Sequence, residues 1–212
     1  MPKEELLTKP SIAMPSLKHR YTGQEYLKVT YWLLNYKDVF SMNYLYLLMH
    51  EWMIEEGYCT RADEEFAERM YLERITPGGK EIWIRWRMQK KDPQGSKLFR
   101  WDLDIDFHVL TLKDVEVMHK GQKFKADKGE VEVTCQANLV IDPEQEWENH
   151  WFLKHFKKLV IYRLLKNRLE WHRLNLWEEA YRLQEALKTY LKLETYLPER
   201  EGAEFWAKKT ME

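Results

Sequence analysis

The chain has 212 residues, of which 44% are hydrophobic and 33% charged, with 34 Lys plus Arg against 35 Asp plus Glu and a formal net charge of −1. This suits a globular domain with a core of its own and excludes the wholesale basicity of a protein that coats nucleic acid. Cys59 and Cys135 stand far apart in no CxxC spacing and read most simply as free thiols in a reducing compartment.

Residues 1–22 hold Pro2, Pro10 and Pro15 and show no hydrophobic period, so an extended or disordered arm is expected there. The arm lacks the apolar stretch of a signal peptide, and no run of about 18 apolar residues occurs, so no transmembrane segment and a cytoplasmic location are expected. Glu25–Tyr36, EYLKVTYWLLNY, is rich in β-branched and aromatic residues and predicts a first strand. The period then changes. Ser41 is a good N-cap, Leu45, Leu48, Met49, Trp52 and Met53 recur at helical spacing, and Gly57 is placed to end the helix in a left-handed turn. A helix is predicted over Met42–Glu56.

A β region follows. EFAERMYLERI closes at the turn Thr76–Gly79, KEIWIRWRMQKK closes at DPQG, and VEVMHKGQKFKA reads as a small hairpin turning at Lys120–Gly121. Val131, Val133, Cys135, Ala137, Leu139 and Ile141 alternate with Glu130, Glu132, Thr134, Gln136 and Asn138. One buried and one wet face imply an antiparallel sheet, for which five to seven strands are expected.

The stretch WDLDIDFHVL sets Asp102, Asp104, Asp106 and His108 on one face of a strand. A hairpin register that faces Arg87 with Asp102, Arg85 with Asp104 and Trp83 with Asp106 brings opposite charges together. It puts Ile82, Ile84, Trp86 and Met88 opposite Phe107, Ile105, Leu103 and Trp101 on the other face. A solvated, salt-bridged face is therefore expected. The competing reading is a divalent-metal site at Asp104, Asp106 and His108. Alternating side chains stand about 7 Å apart along a strand, so those ligands would have to reach inward.

Asp142 reads as a helix cap, with Pro143 at the first helical position and Gln145 closing a capping box. Neither Gly nor Pro occurs from Glu144 to Leu197, which predicts a long bent helix or two helices. The expected organisation is an arm over 1–22, an α+β domain over 23–167 and a C-terminal helical extension over 168–212.

Motifs for chemistry are scarce. His50–Trp52 begins like a zincin motif, but Ile54 stands where the second histidine belongs. There is no G-x-S-x-G, Walker loop or G-x-G-x-x-G. His150 and His155 are five apart and diverge on a helix. No catalysis and no cofactor are expected.

Two features exceed background. The chain holds ten Trp and twelve Tyr. Trp83, Trp86, Trp101, Trp147 and Trp151 either pack an aromatic core or wall an apolar ligand pocket between sheet and long helix. The segment from Lys154 to Arg173 carries Lys154, Lys157, Lys158, Arg163, Lys166, Arg168 and Arg173 against Glu170 alone, with Trp151, Phe152, Phe156 and Tyr162 nearby. It is either a solvated helix face or a surface for nucleic acid, an anionic membrane or an acidic partner. The chain's own acidic block, Glu55, Glu56, Asp63, Glu64, Glu65 and Glu68, is a competing partner. Further on, Leu176, Ala180, Leu183, Leu187, Tyr190 and Leu197 follow steps of three and four with Glu194 in the intervening slot. Such a seam either mediates homo-oligomerisation or folds back.

The order strand, helix, antiparallel strands, long C-terminal helix is similar to the helix-grip proteins of the START and Bet v 1 type, over Glu25 to about Leu169. That resemblance implies a curved sheet gripping the last helix around a cavity, and carriage of an apolar small molecule. VTYWLLNYKDVFSMNYLYLLMHEWMIEEGY also resembles a group of functionally uncharacterised archaeal proteins with a strand, a helix of the form LY-x-LMH-x-W and the ending EEGY. This second likeness implies a source and no mechanism. The expected functions are thus a non-catalytic interaction or assembly protein first, a carrier second, and a nucleic-acid binder third.

Overall fold

The computed structural model describes residues 21, 23–60, 66–119 and 122–194. The arm up to residue 20, Asp63–Glu65 of the acidic block, the Lys120–Gly121 turn and Leu197 of the seam lie outside the described residues.

Among the described residues five antiparallel strands form one sheet: β1 (Glu25–Phe40), β2 (Glu68–Thr76), β3 (Gly79–Lys91), β4 (Phe99–His119) and β5 (Gln122–Ile141), in the order β1-β5-β4-β3-β2. β2 to β5 are a meander, and β1 closes it against β5. Helix α1 (Met42–Glu55) carries the chain from β1 to the opposite edge. After β5 come α2 (Glu146–Asn149), α3 (Leu153–Leu159), a π-helical segment (Val160–Leu164) and α4 (Lys166–Glu194). The fold is α+β, as the alternating and helical periods predict. The small hairpin expected after residue 114 is the far half of β4 and β5, which run on past a bulge between Leu110 and Lys113.

Local chemistry sets the helix ends. The Ser41 hydroxyl accepts from Tyr44 N at 3.4 Å. At the other end Tyr58 N reaches Met53 O and Gly57 N reaches Ile54 O, with Gly57 at φ 77°. This is a Schellman close, and the positive φ is one that glycine adopts without a Cβ penalty. Asp142 does cap, its Oδ2 accepting from Trp147 N and Glu148 N. The helix nevertheless starts at Glu146, because Asp142 (φ 53°) and Gln145 (φ 56°) are both left-handed and spend the intervening residues on a turn.

The inner face of the sheet is apolar: Ile84, Trp86, Met88, Trp101, Leu103, Ile105, Phe107, Val133, Cys135 and Leu139 are all buried. Leu45, Met49 and Met53 of α1 cover one part of it, and Leu169, Leu176, Ala180, Leu183, Leu187 and Leu191 of α4 cover another, in one continuous core. The seam is therefore spent within the fold. Leu176, Ala180, Leu183 and Leu187 have no exposed surface, and the Tyr190 hydroxyl donates to Ser41 O at 3.0 Å. This corrects two expectations, a free self-association seam and a separate extension from residue 168. The sheet's apolar face is larger than α1 can cover, and α4 supplies the rest, so it belongs to the domain.

Candidate functional site

Every second residue of β3 and β4 points to the outer face, and there the aspartate ladder meets its arginines. The pairs are Arg85 opposite Asp106 and Arg87 opposite Asp104, with Trp83 opposite His108. The register is two residues away from the expected one. A shift of two keeps every side chain on its face and changes only its partner. Arg85 Nε lies 3.2 Å and Arg87 Nη2 2.8 Å from Asp106 Oδ1, and Arg87 Nε lies 3.7 Å from Asp104 Oδ1. The Tyr21 hydroxyl and Asn138 Nδ2 donate to Asp104 Oδ2 at 2.8 and 3.2 Å. Arg100 grips Asp102 through Nε and Nη2 at 2.8 and 3.0 Å. The ladder is not solvated as expected: Asp102, Asp104, Arg85 and Arg87 are all buried. Buried charges persist because each is paired. The carboxylates expected as competing metal ligands are thus engaged by guanidinium groups. Among the described residues no three His, Cys, Asp or Glu side chains converge as a metal site.

Two polar clusters lock α4 to the inner face. Glu179 accepts from the Tyr58 hydroxyl at 2.7 Å and from Lys90 Nζ at 2.5 Å. The Lys90 ammonium also lies over the Tyr58 and Trp101 rings, 5.2 and 5.1 Å from their centroids. Burial first, then the Glu179 charge and hydrogen bond, hold the Tyr58 pKa well above its ordinary value. Two turns nearer the helix start, His172 is buried between Trp101, Phe99 and Asp92. Asp92 also accepts from Gln94 N in the β3–β4 turn and lies 3.3 Å from Arg168 Nη2. A signal for both clusters exists in the sequence: His172 and Glu179 fall in the apolar register of Leu169, Leu176 and Leu183.

The five tryptophans do not converge on a pocket. Trp86 and Trp101 are packed into the core. Trp83 lies on the outer face, stacked on His108 at 5.2 Å between centroids. Trp147 is partly buried against the core, and Trp151 is 77% exposed.

The basic segment divides in two. Lys157 sits at i+4 from Leu153 and i−4 from Ile161 and is turned inward, with Glu25, Asp142 and Glu148 oxygens 3.3 to 3.5 Å from its Nζ. Burial opposes its charge, but the carboxylates outweigh that and raise its pKa. Arg168 pairs with Asp92, and Arg173 with Glu170. These three expected partner-binding cations are engaged within the chain. Lys154, Lys158, Arg163 and Lys166 are exposed and form no ion pair with a described residue.

Beside these four stand side chains that a fold normally hides. Trp151, Phe152, Phe156, Leu159, Tyr162 and Leu164 are all exposed, Leu164 by 71%. Trp151, Phe152 and Phe156 form a continuous ring cluster, with centroids 5.6 and 5.0 Å apart. The His150 ring starts α3, its Nδ1 accepting from Phe152 N and Leu153 N at 3.3 and 3.4 Å. The Tyr162 hydroxyl donates to Glu25 at 2.9 Å, and burial with that bond pushes its pKa up to about 12. The face is therefore held to the sheet from behind by Lys157, Ile161 and Tyr162, with rings and cations pointing out.

Comparison with protein-family models, with curated proteins and with solved structures returned no match. No helix among the described residues is long and apolar enough to cross a membrane.

Proposed function

We propose that the protein is a non-catalytic interaction protein that docks an anionic partner through the outward face of α3, the π-helical segment and the start of α4. One observation carries this reading. From His150 to Leu169 the sequence has no Asp or Glu, while Lys154, Lys158, Arg163 and Lys166 stand exposed among exposed rings. A single-sign stretch raises the local concentration of an oppositely charged partner even on a chain of net charge −1. Exposed tryptophan and phenylalanine beside it supply the apolar contact that a solvated face does not need. The interaction half of the sequence expectation is retained here, without the apolar seam.

Retention on an immobilised polyanion such as heparin tests the reading. Wild type and a variant with Lys113→Gln, Lys125→Gln and Lys128→Gln, on the far end of the β4–β5 hairpin, are expected to elute at the same raised salt. Lys154→Gln, Lys158→Gln and Arg163→Gln together are expected to elute early. Co-elution of that variant with wild type would overturn the proposal.

A further inference from the structure

We infer that the anionic partner of this face is the surface of a lipid bilayer carrying acidic headgroups, entered by Trp151, Phe152, Phe156 and Leu159. The inference rests on the proposed function and names its partner.

The shape of the face argues for a bilayer over other polyanions. Phe152, Phe156 and Leu159 follow i, i+4, i+7 and lie along one outward line of α3. Lys154 and Lys158 are exposed on the same helix but on its other side, and Arg163 is exposed in the segment that follows. A short helix that exposes an apolar line and cations on the same segment can set the rings into hydrocarbon while the flexible lysine stems reach up to the phosphates. Trp151, the most exposed ring of the cluster, is of the type that favours the headgroup level. Single-stranded nucleic acid uses flat rings as stacking platforms. Leu159 and Leu164 offer none, yet both are exposed among the cations. Leucine beside phenylalanine gains from any hydrocarbon, whatever its orientation.

The rear of the face adds a second argument. A peptide that binds a bilayer as a helix must first order itself. Here His150 caps α3, while Lys157, held by Glu25, Asp142 and Glu148, and Ile161, in the core, fix its inner side. The rings are presented without an ordering cost. The buried lysine makes the segment's inner charge a fastener and leaves the outer charges for headgroups.

Co-sedimentation of the full chain with vesicles tests this. Phosphatidylcholine vesicles, with and without phosphatidylglycerol, are the probes. Wild type is expected to pellet with the mixed vesicles and not with phosphatidylcholine alone, and to be released by salt. Each of Lys154→Gln, Lys158→Gln and Arg163→Gln is expected to weaken partition about five-fold. Trp151→Ser with Phe156→Ser is expected to abolish pelleting while heparin retention is kept. If wild type is retained on heparin but ignores mixed vesicles, the bilayer inference fails and the anionic-partner reading stands. If it binds a single-stranded oligonucleotide instead, and the ring variant loses that binding, the partner is nucleic acid and the inference is overturned. Pelleting unchanged in the ring variant overturns insertion. A wild-type chain that is neither retained on heparin nor pelleted with the mixed vesicles brings down both proposals.

Discussion

The indole Nε1 of Trp101 donates to Nδ1 of His172 at 3.2 Å, in the interior between β4 and α4. An indole can only donate, so Nδ1 must accept, and the ring proton belongs on Nε2, which faces Asp92 Oδ2 at 3.5 Å. Protonating the ring would set two N–H groups against each other. Burial, and after it the Arg168 charge, lower the His172 pKa from the ordinary 6.5, against the opposing pull of Asp92. The unfolded chain therefore takes up this proton first, and the unfolded state binds more protons below about pH 6.5. Stability is expected to fall as pH drops from about 7.5 to about 5.5, and His172→Gln to flatten that part of the profile. Thermal melts across the range check it, and a profile identical in the variant would refute the assignment.

The Lys90–Glu179 pair is expected to behave as a buried ion pair whose halves depend on each other. Lys90→Met leaves the Glu179 carboxylate with the Tyr58 hydroxyl and the more distant, exposed Arg182 guanidinium at 3.9 Å and should cost about 3–5 kcal/mol. Adding Glu179→Met should return much of that loss, because two apolar side chains then fill the gap between β3 and α4. Urea unfolding of the single and double variants measures the coupling, and additive losses would contradict it.

In the outer ladder the two arginines are not equivalent. Asp106 lies within reach of both Arg85 and Arg87, whereas Asp104 pairs with Arg87. Arg87 Nη1 also donates to the backbone oxygens of Trp86 and Ile105 at 2.6 and 3.2 Å. Arg87→Met should destabilise by about 3–5 kcal/mol and Arg85→Met by clearly less. Equal losses in chemical denaturation would mean that the observed register does not govern the pairing.

Leu183 is buried between α4 and the sheet. Leu183→Ala should cost about 2–5 kcal/mol by leaving a cavity. Its sedimentation coefficient should match that of the native wild type. A smaller folded particle, in place of a less stable one of the same size, would restore the seam as an intermolecular contact.

Thiol labelling separates the two cysteines. Cys135 is fully buried on the inner face, and burial pushes its pKa far up. Cys59 is partly exposed, with a pKa raised by burial and by Glu51. Under native conditions Cys59 should react slowly and Cys135 not at all, with both reacting in denaturant. Native modification of Cys135 would show that the core opens.

Much of the fold was legible because it depends on short-range rules. Ser41 and Gly57 bracket α1 through caps that involve residues three to five positions away. The alternation from Val131 to Ile141 decides which face of β5 is apolar before any partner is known. For the same reason the outer and inner sets of β3 and β4 were read correctly while their register was not. A two-residue shift leaves the pleat unchanged, and only the length of the β3–β4 connection chooses between the alternatives. Leu98 and Phe99 turn into the core at that connection, with Asp142 N bonded to Leu98 O at 2.8 Å. That lengthens the loop and moves Arg87 from Asp102 to Asp104.

The sequence by itself determined the α+β class, the helical seam of α4 and the acid-free stretch from His150 to Leu169. Tertiary structure alone decided what each would face. An apolar stripe has the same period whether it meets another chain or its own sheet, and here the uncovered area left by α1 drew Leu176, Leu183 and Leu187 inward. A cation carries the same charge wherever it points, so composition did not distinguish Lys157, which pairs with Glu25 and Asp142 across more than a hundred residues on one side, from Lys154 and Lys158, which face outward. Burial and pairing are properties of distant chain segments brought together, and no local period encodes them.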